Sequence, residues 1–497
     1  MNPPAFPPRR LADWSPSLPR DLLAGAVATF ALIPEVIAFS FVAGVDPSVG
    51  LFASFVISIV IAFVGGRPAM VSAAAGSVAL VAAPLVQSHG LGYLLAAGLL
   101  AGAVQVVFGL LKLGVLMRFV SSSVRTGFVN ALAILIFSAQ LPHLHNASAL
   151  TWAMLALGLL IIYGLPWLGQ RLQVRALTAI PSPLICVVVL TLLASGMGLH
   201  LPTVADLGKL PDALPLFGLP EVPASLDTLR IILLPALAIA MVGLLESVLT
   251  AAVVDEMTDT PSDKNRECAG LGLANIAASC FGGIAGCGMI GQAVSNVKYG
   301  GRGRLSTLFA GVFLLILMVA LKDWVSRVPV IALVAIMVMV SASTFDWKSL
   351  GAVVLQPRLP RLSSAVMLAT VVITIATHNL AAGVAVGVLL SGVFFAFKLS
   401  RMLAVHAQDD AATGLRTWVV TGQVFFASAD AFIDAFDILG AEGRKVCIDV
   451  SHAHFWDVTA VAALDKVVER LRHHGCTVEV LGLNAASAVL VDRLGAG

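Results

Sequence analysis

Fourteen apolar runs occupy the first 401 residues of this 497-residue chain, and they leave few ways for it to fold. A helix needs about 20 apolar residues to cross the hydrocarbon of a bilayer. Clear candidates are Leu22–Phe41, Val49–Val64, Tyr93–Leu111, Phe128–Leu141, Trp152–Gly169, Thr178–Met197, Ile231–Val254, Leu305–Leu321, Val328–Val340, Val366–Ile375 and Leu380–Phe397. Three more, Ser77–Val86, Gly270–Phe281 and Gly288–Val297, are shorter or rich in Gly and Ala. Residues are 59% hydrophobic and 12% charged, against about 45–50% and about 25% in soluble domains. A soluble multidomain enzyme is thereby excluded. A net charge of +2 gives no reason to expect a nucleic-acid partner.

Charge tests the count. With the N-terminus inside and fourteen spans alternating, inner segments carry 19 Lys and Arg and outer segments 4, namely Lys209, Arg230, Lys322 and Arg327. The positive-inside rule demands that asymmetry, and a missed span would scramble it. An even count also leaves the C-terminus inside. From Met402 onward 19 of 96 residues are charged, roughly 20% as in a soluble domain. The expected organisation is a cytoplasmic segment 1–21, a transmembrane domain 22–401 and a small cytoplasmic domain 402–497. The Pro-rich start has no apolar core before a small-residue site, so it does not read as a cleaved signal peptide. The six cysteines form no CxxC pair and read as buried thiols. The pairs His143/His145, His452/His454 (placed on a loop) and His473/His474 read as ordinary surface histidines, with no metal site expected.

Two acids stand alone inside apolar spans, where acids are rare and usually functional. Glu35 lies in the first span and Glu246 in the eighth. Each is followed two spans later by a small-residue stretch that opens a short helix: Ser72–Val78, with Gly76 at +41, and Gly283–Ile290, with Gly288 at +42. The matched offsets point to two seven-span repeats, about 22–199 and 230–399. Seven is odd, so the second is inverted, as in many secondary transporters. Extended backbone at membrane depth is tolerated only where it lines a cavity or is buried in protein. Two half-helix N-termini would then face each other near the midplane, with free N–H groups and partial positive charge. That is an anion site without a basic side chain.

Several stretches resemble the sulfate permease (solute carrier 26) family of anion transporters. They are Ile33–Phe39, Ala43–Pro47, Gly50–Ser54, Leu245–Ser247, Glu267–Ile276 and Gly288–Asn296. The resemblance implies an all-α polytopic membrane domain of fourteen segments in two inverted repeats, divided into core and gate domains. A small α/β STAS domain follows. It also implies a homodimer in the plasma or inner membrane and an elevator-like movement of core against gate. Carried over by position, the substrate pocket comprises Glu35, Phe39, Ala75, Gly76, Ser77, Val78, Cys287, Gly288, Met289 and Ile290. Glu246 takes the ion-coupling position beside it. Many relatives have Gln at the position of Glu35 and Tyr at that of Phe39, and many animal relatives have Arg where Gln292 stands.

Without that Arg the site has no fixed cation and two potential anions. Two ionised carboxylates would repel an anion strongly in a low dielectric, and protonation is the simplest relief. Glu246, Glu35 or both are therefore expected to take up a proton as the anion binds, which is proton–anion symport. Sodium at Glu246 is the alternative coupling ion. The arginine-free, largely apolar lining leans towards a C4-dicarboxylate such as fumarate, with sulfate, bicarbonate and an exchanger or channel on the same fold as alternatives. No cofactor is expected. No GxxxxGK[ST] loop and no HExxH occur, so neither ATP-driven pumping nor metalloprotease chemistry has support.

In the tail, Leu415–Phe426 reads as a strand, a Gly turn and a second strand. Lys445–Val450 and Thr477–Leu481 read as strands, Ala460–His473 as an amphipathic helix and Ala485–Leu494 as a last helix. Bacterial anti-sigma-antagonist relatives carry Asp-Ser-Ser/Thr-Gly in a phosphorylated loop. Here the stretch is Asp457-Val458-Thr459-Ala460, so no phosphoswitch is expected.

Overall fold

Backbone N–H and C=O groups in hydrocarbon must find partners inside the chain, and helices satisfy most of them here. In the computed structural model, which describes residues 14, 16–114, 120–145, 147–172, 182–207, 216–320, 322–354, 361–377, 379–409, 414–484 and 487–488, fourteen helices match the fourteen apolar runs. They are α1 (Leu18–Ala43), α2 (Pro47–Val64), α3 (Gly76–His89), α4 (Leu91–Leu110), α5 (Ser122–Ser138), α6 (Ala149–Leu172) and α7 (Ser182–Gly196) in the first half. The second half has α8 (Leu226–Thr258), α9 (Lys264–Cys280), α10 (Ile290–Lys298), α11 (Arg304–Ala320), α12 (Val330–Thr344), α13 (Arg361–Thr377) and α14 (Leu380–Ser400). Two three-residue strands, β1 (Ser72–Ala74) and β2 (Gly286–Gly288), precede α3 and α10. The tenth run was expected to be helical from Gly288. It begins at Ile290 because the glycines before it run extended. Seven helical stretches are long and apolar enough to cross a membrane, and four more are shorter apolar helices.

Local signals set the ends. Gly44 takes φ 75°, where a Cβ would be strained, and its N–H donates to Phe41 C=O at 3.0 Å. Pro47 then opens α2 without losing a needed donor. Ser225 caps α8 by accepting from Thr228 N–H, and Asp263 caps α9 by accepting from Asn265 and Arg266 N–H.

The chain divides into two units, Met1–Val388 and Leu389–Gly497, each considered by itself. In the first, packing obeys an exchange of the two seven-helix halves. Helix α1 packs on α2, α3, α10 and α11, and its counterpart α8 packs on α9, α10, α3 and α4. Likewise α5 meets α13 as α12 meets α6. Helices α1–α4 and α8–α11 thus form one interlocked group, and α5–α7 with α12 and α13 a second. The exchange fails where the groups meet. Helix α1 packs on α7 and α12, with no comparably close packing of α8 on α5 among the described residues. The α1 contact runs from mid-helix to its C-terminal end: Phe30, Ile33, Pro34 and Ile37 share a cavity with Leu184, Val187 and Leu333, and Ala38, Phe41 and Val42 share another with Gln140, His143, Val330, Leu333 and Val334.

Polar fasteners hold the other end of the first group, where basic residues crowd. Arg67 pairs with Asp255 at 3.0 Å, and Lys264 with the same carboxylate at 2.6 Å. Glu267 accepts from the N–H groups of Gly66 (2.7 Å) and Arg67 (3.0 Å). Arg304 donates to the carbonyls of Ala62 and Gly65, and Asp21 accepts from Arg302 and Gly303 N–H. All of these except the Lys264–Asp255 pair join one half of the chain to the other.

The second unit carries a four-stranded sheet, order β3-β4-β5-β6, from Ala404–Asp409, Arg416–Val424, Lys445–Phe455 and Thr477–Leu481. Strands β3 and β4 are antiparallel, and the other pairings parallel. Helix α15 (Val458–His473) buries Val461, Leu464, Val467 and Leu471 in this unit, where Trp418, Phe432 and Ile448 are also buried. Three readings need correction. Leu415–Phe426 holds one strand, not two, because Gly422 (φ 103°) and a bulge after Val419 bend it without breaking it. Strand β3 was not foreseen. Strand β5 continues to Phe455, so His452 and His454 lie on a strand rather than a loop, both exposed. Asp457 caps α15 through Ala460 N–H and also accepts from Phe426 N–H, both at 2.9 Å. The expected last helix falls mostly outside the described residues.

Close approach of backbones makes one glycine a sharp test. A Cβ at Gly283 would lie 2.6 Å from the backbone of Ala53 on α2, whereas one at Gly291 meets nothing within 4 Å. Gly283→Ala is expected to cost about 1–3 kcal/mol through overpacking, read as a lower melting temperature of the detergent-solubilised protein. Gly291→Ala should leave the melting temperature unchanged or slightly raised.

Candidate functional site

Strands β1 and β2 pair with each other. They are antiparallel, in the register Ser72↔Gly288, Ala73↔Cys287 and Ala74↔Gly286. This ladder joins the two halves at the position of the two Gly-rich breaks. Helices α3 and α10 both begin at it, and neither has a side-chain cap. Their first N–H groups are therefore not claimed by a capping side chain, the condition under which helix starts attract anions.

Side chains meet several of the ladder's remaining backbone groups. Ser54 on α2 accepts from Ala74 N–H at 3.2 Å, and Ser58, one turn on, donates to Ser72 C=O at 2.9 Å. From α9, Asn275 accepts from Gly286 N–H at 2.8 Å and donates to its C=O at 3.2 Å. Asn275 also donates to Gln105 on α4, which donates to Ala240 C=O on α8. Ser247 accepts from Gly288 N–H at 2.8 Å, and Thr250 donates to Gly288 C=O at 2.9 Å. A Cβ at Gly288 would lie 3.2 Å from Met70, Ser247 and Thr250, a tight fit that would need a neighbour to give by a few tenths of an ångström.

The two acids occupy different surroundings. Glu246 is buried, 9% exposed, and its Oε2 accepts from both Ser77 Oγ and Cys287 Sγ, the latter at 3.0 Å. Glu35 is half-buried and stands beside the side chain of Gln292, itself buried on α10. Phe39, one turn after Glu35, lays its ring against Gly76. A Cβ there would sit 2.6 Å from ring atom Cε1.

The structure thus gathers Phe39, Gly76, Ser77, Cys287, Gly288 and Glu246 around the ladder and puts Glu35 beside Gln292. Ala75 supplies the position before α3, and Met289 the position before α10. Val78 is fully buried. Ile290 opens α10 and is partly buried. Sequence reasoning missed Ser54, Ser58, Gln105, Ser247, Thr250 and Asn275. Spacing was the available signal: Ser54 and Ser58 are four apart in an apolar run, as are Glu246 and Thr250.

Comparison with known proteins follows this architecture. The sulfate permease family model matches residues 18–148 and 141–370, and the STAS domain model matches 410–497. YbaR of Bacillus subtilis, whose name proposes sulfate as its cargo, is 50% identical over 483 residues, covering 97% of this chain and 98% of YbaR. The bicarbonate transporter BicA of Synechocystis is 25% identical, covering 96% of this chain and 90% of BicA. Among solved structures, the inward-facing murine solute carrier 26 member A9 superposes with a TM-score of 0.84 at 18% identity, over 98% of this chain and 88% of that one. The transmembrane domain of a cyanobacterial BicA superposes with a TM-score of 0.64 at 24% identity, over 76% of this chain and 97% of that one. Helices, ladder and sheet define a multi-pass membrane protein with an inverted repeat and a C-terminal α/β domain. The chain belongs to the sulfate permease family.

Asn275 tests the ladder. Asn275→Ala leaves the buried N–H and C=O of Gly286 unpaired, at a cost of about 1–3 kcal/mol for each unsatisfied group. A lowered melting temperature and weakened anion binding, read by thermal shift with added anion, are expected together.

Proposed function

We propose that this chain, an anion transporter, is a proton-coupled symporter. The carrying observation is Glu246, buried and hydrogen-bonded at the point where two uncapped helices begin. An anion held by backbone N–H groups sits poorly beside an ionised carboxylate in a low dielectric. A proton taken up with the anion removes the conflict, and a channel would need no such group. Glu35, half-buried beside Gln292, is the second acid.

The proposed movement is elevator-like, the α1–α4/α8–α11 group sliding against the rest. The imbalance of packing between the groups supports this, since an inverted repeat held in one state loses its symmetry at the sliding interface. The same reading places the STAS domain in the cytoplasm, supported by the 19-to-4 split of basic residues, and the molecule as a homodimer. For the cargo, the arginine-free lining favours a C4-dicarboxylate such as fumarate. Sulfate is the second reading, favoured by the name of YbaR.

Proteoliposomes with an imposed inward proton gradient test this directly. Labelled fumarate, sulfate and bicarbonate are offered in parallel, with and without sodium. Accumulation of one anion that collapses with a protonophore is the expected result. Sodium-dependent uptake blind to the proton gradient would move the coupling to a sodium ion at Glu246, and fluxes that only equilibrate would make the protein an exchanger or channel. Glu246→Gln should abolish proton-driven accumulation and leave residual downhill exchange. Glu35→Gln with Gln292→Arg installs a fixed cation, so its uptake should depend less on pH than that of the wild type.

A further inference from the structure

Ser77 and Cys287 each have a single hydrogen to donate, and both donate it to the same oxygen, Oε2 of Glu246. The two donor atoms lie 3.8 Å apart. They come from opposite halves of the chain, Ser77 from the first turn of α3 and Cys287 from the centre of β2. Both are buried, at 1% and 0% exposure. They therefore stand between the acid and the helix starts that would hold an anion.

We propose that Ser77 and Cys287 form a donor switch that makes proton and anion binding obligatory to each other. This deepens the symport reading and rests on it. With Glu246 ionised, both hydrogens face its carboxylate, and an arriving anion meets the lone pairs of oxygen and sulfur. When a proton from water adds to the carboxylate, the neutral group becomes a weaker acceptor and a donor in its own right. The hydroxyl and thiol hydrogens then turn about their C–O and C–S bonds towards the anion. The carboxyl O–H bond is the one bond made on loading and the one broken on release, and both donors keep their protons throughout. No backbone movement is needed, which suits two groups packed this tightly. Helix α8 is packed by α3, α4, α9, α10 and β2. Of the ionisable groups on those elements, Cys287 alone reaches Glu246 among the described residues.

The test uses the full chain in proteoliposomes, with labelled fumarate and labelled sulfate as probes and KM measured as a function of external pH. Wild type is expected to show KM falling as pH falls. Ser77→Ala with Cys287→Ala should flatten that dependence and raise KM at low pH about tenfold, the loss of one to two hydrogen bonds to a charged group. Ser77→Thr with Cys287→Ser keeps two donors and should restore the slope, which a purely structural role would not require. If the double alanine variant fails to fold, each single alanine variant should show a shallower slope than wild type. A double or single alanine variant with the wild-type slope overturns the switch. A wild type whose KM ignores pH overturns the symport reading itself, and the two failures are distinct because they fall in different arms.

Discussion

Unpaired backbone cannot sit in hydrocarbon, and the molecule is organised around two stretches that break this rule locally and repair it together. Strands β1 and β2 are too short to be stable alone. Each satisfies part of the other's backbone. The groups left over are met by Ser54, Ser58, Ser247, Thr250 and Asn275, from α2, α8 and α9. The interlocking of eight helices follows from this need, because the partners must come from both halves. So does the chemistry. Extended backbone ends in two helix starts, and those supply donors to an anion without a fixed positive charge.

The acids fit the same logic at two depths. Glu246 is enclosed and bound by two donors, so its ionisation state is legible only to what sits at the ladder. Glu35 is more open and answers to Gln292. An arginine at that place would hold an anion at any pH. Under the proposed symport, the amide lets the site's charge follow the medium.

Much of this was legible in the chain. The fourteen runs, their alternation against basic residues, and the matched Glu-to-Gly offsets came from periodicity and spacing, which lipid enforces strictly. The strand pairing did not. Ser72-Ala73-Ala74 and Gly286-Cys287-Gly288 are too short to show alternation, and their partner is over 200 residues away. The approach of Glu35 on α1 to Gln292 on α10 is likewise invisible in either helix alone. In the second unit β3 was missed because Ala404–Asp409 is an exposed, polar edge with no apolar face to betray it. His452 and His454 were misplaced because Ser451 and His452, two exposed residues in a row, interrupt the alternation of β5 before it resumes through Phe455.

The ladder also has a consequence for how the protein comes into being. Its two strands lie in different halves of the chain, and the second is synthesised seven segments after the first. Until Gly288 has emerged from the ribosome, Ser72–Ala74 has no partner, Glu246 has at most one of its donors, and neither helix start belongs to a site. The ladder therefore closes late, when ten of the fourteen segments have been made and α11–α14 are still to follow.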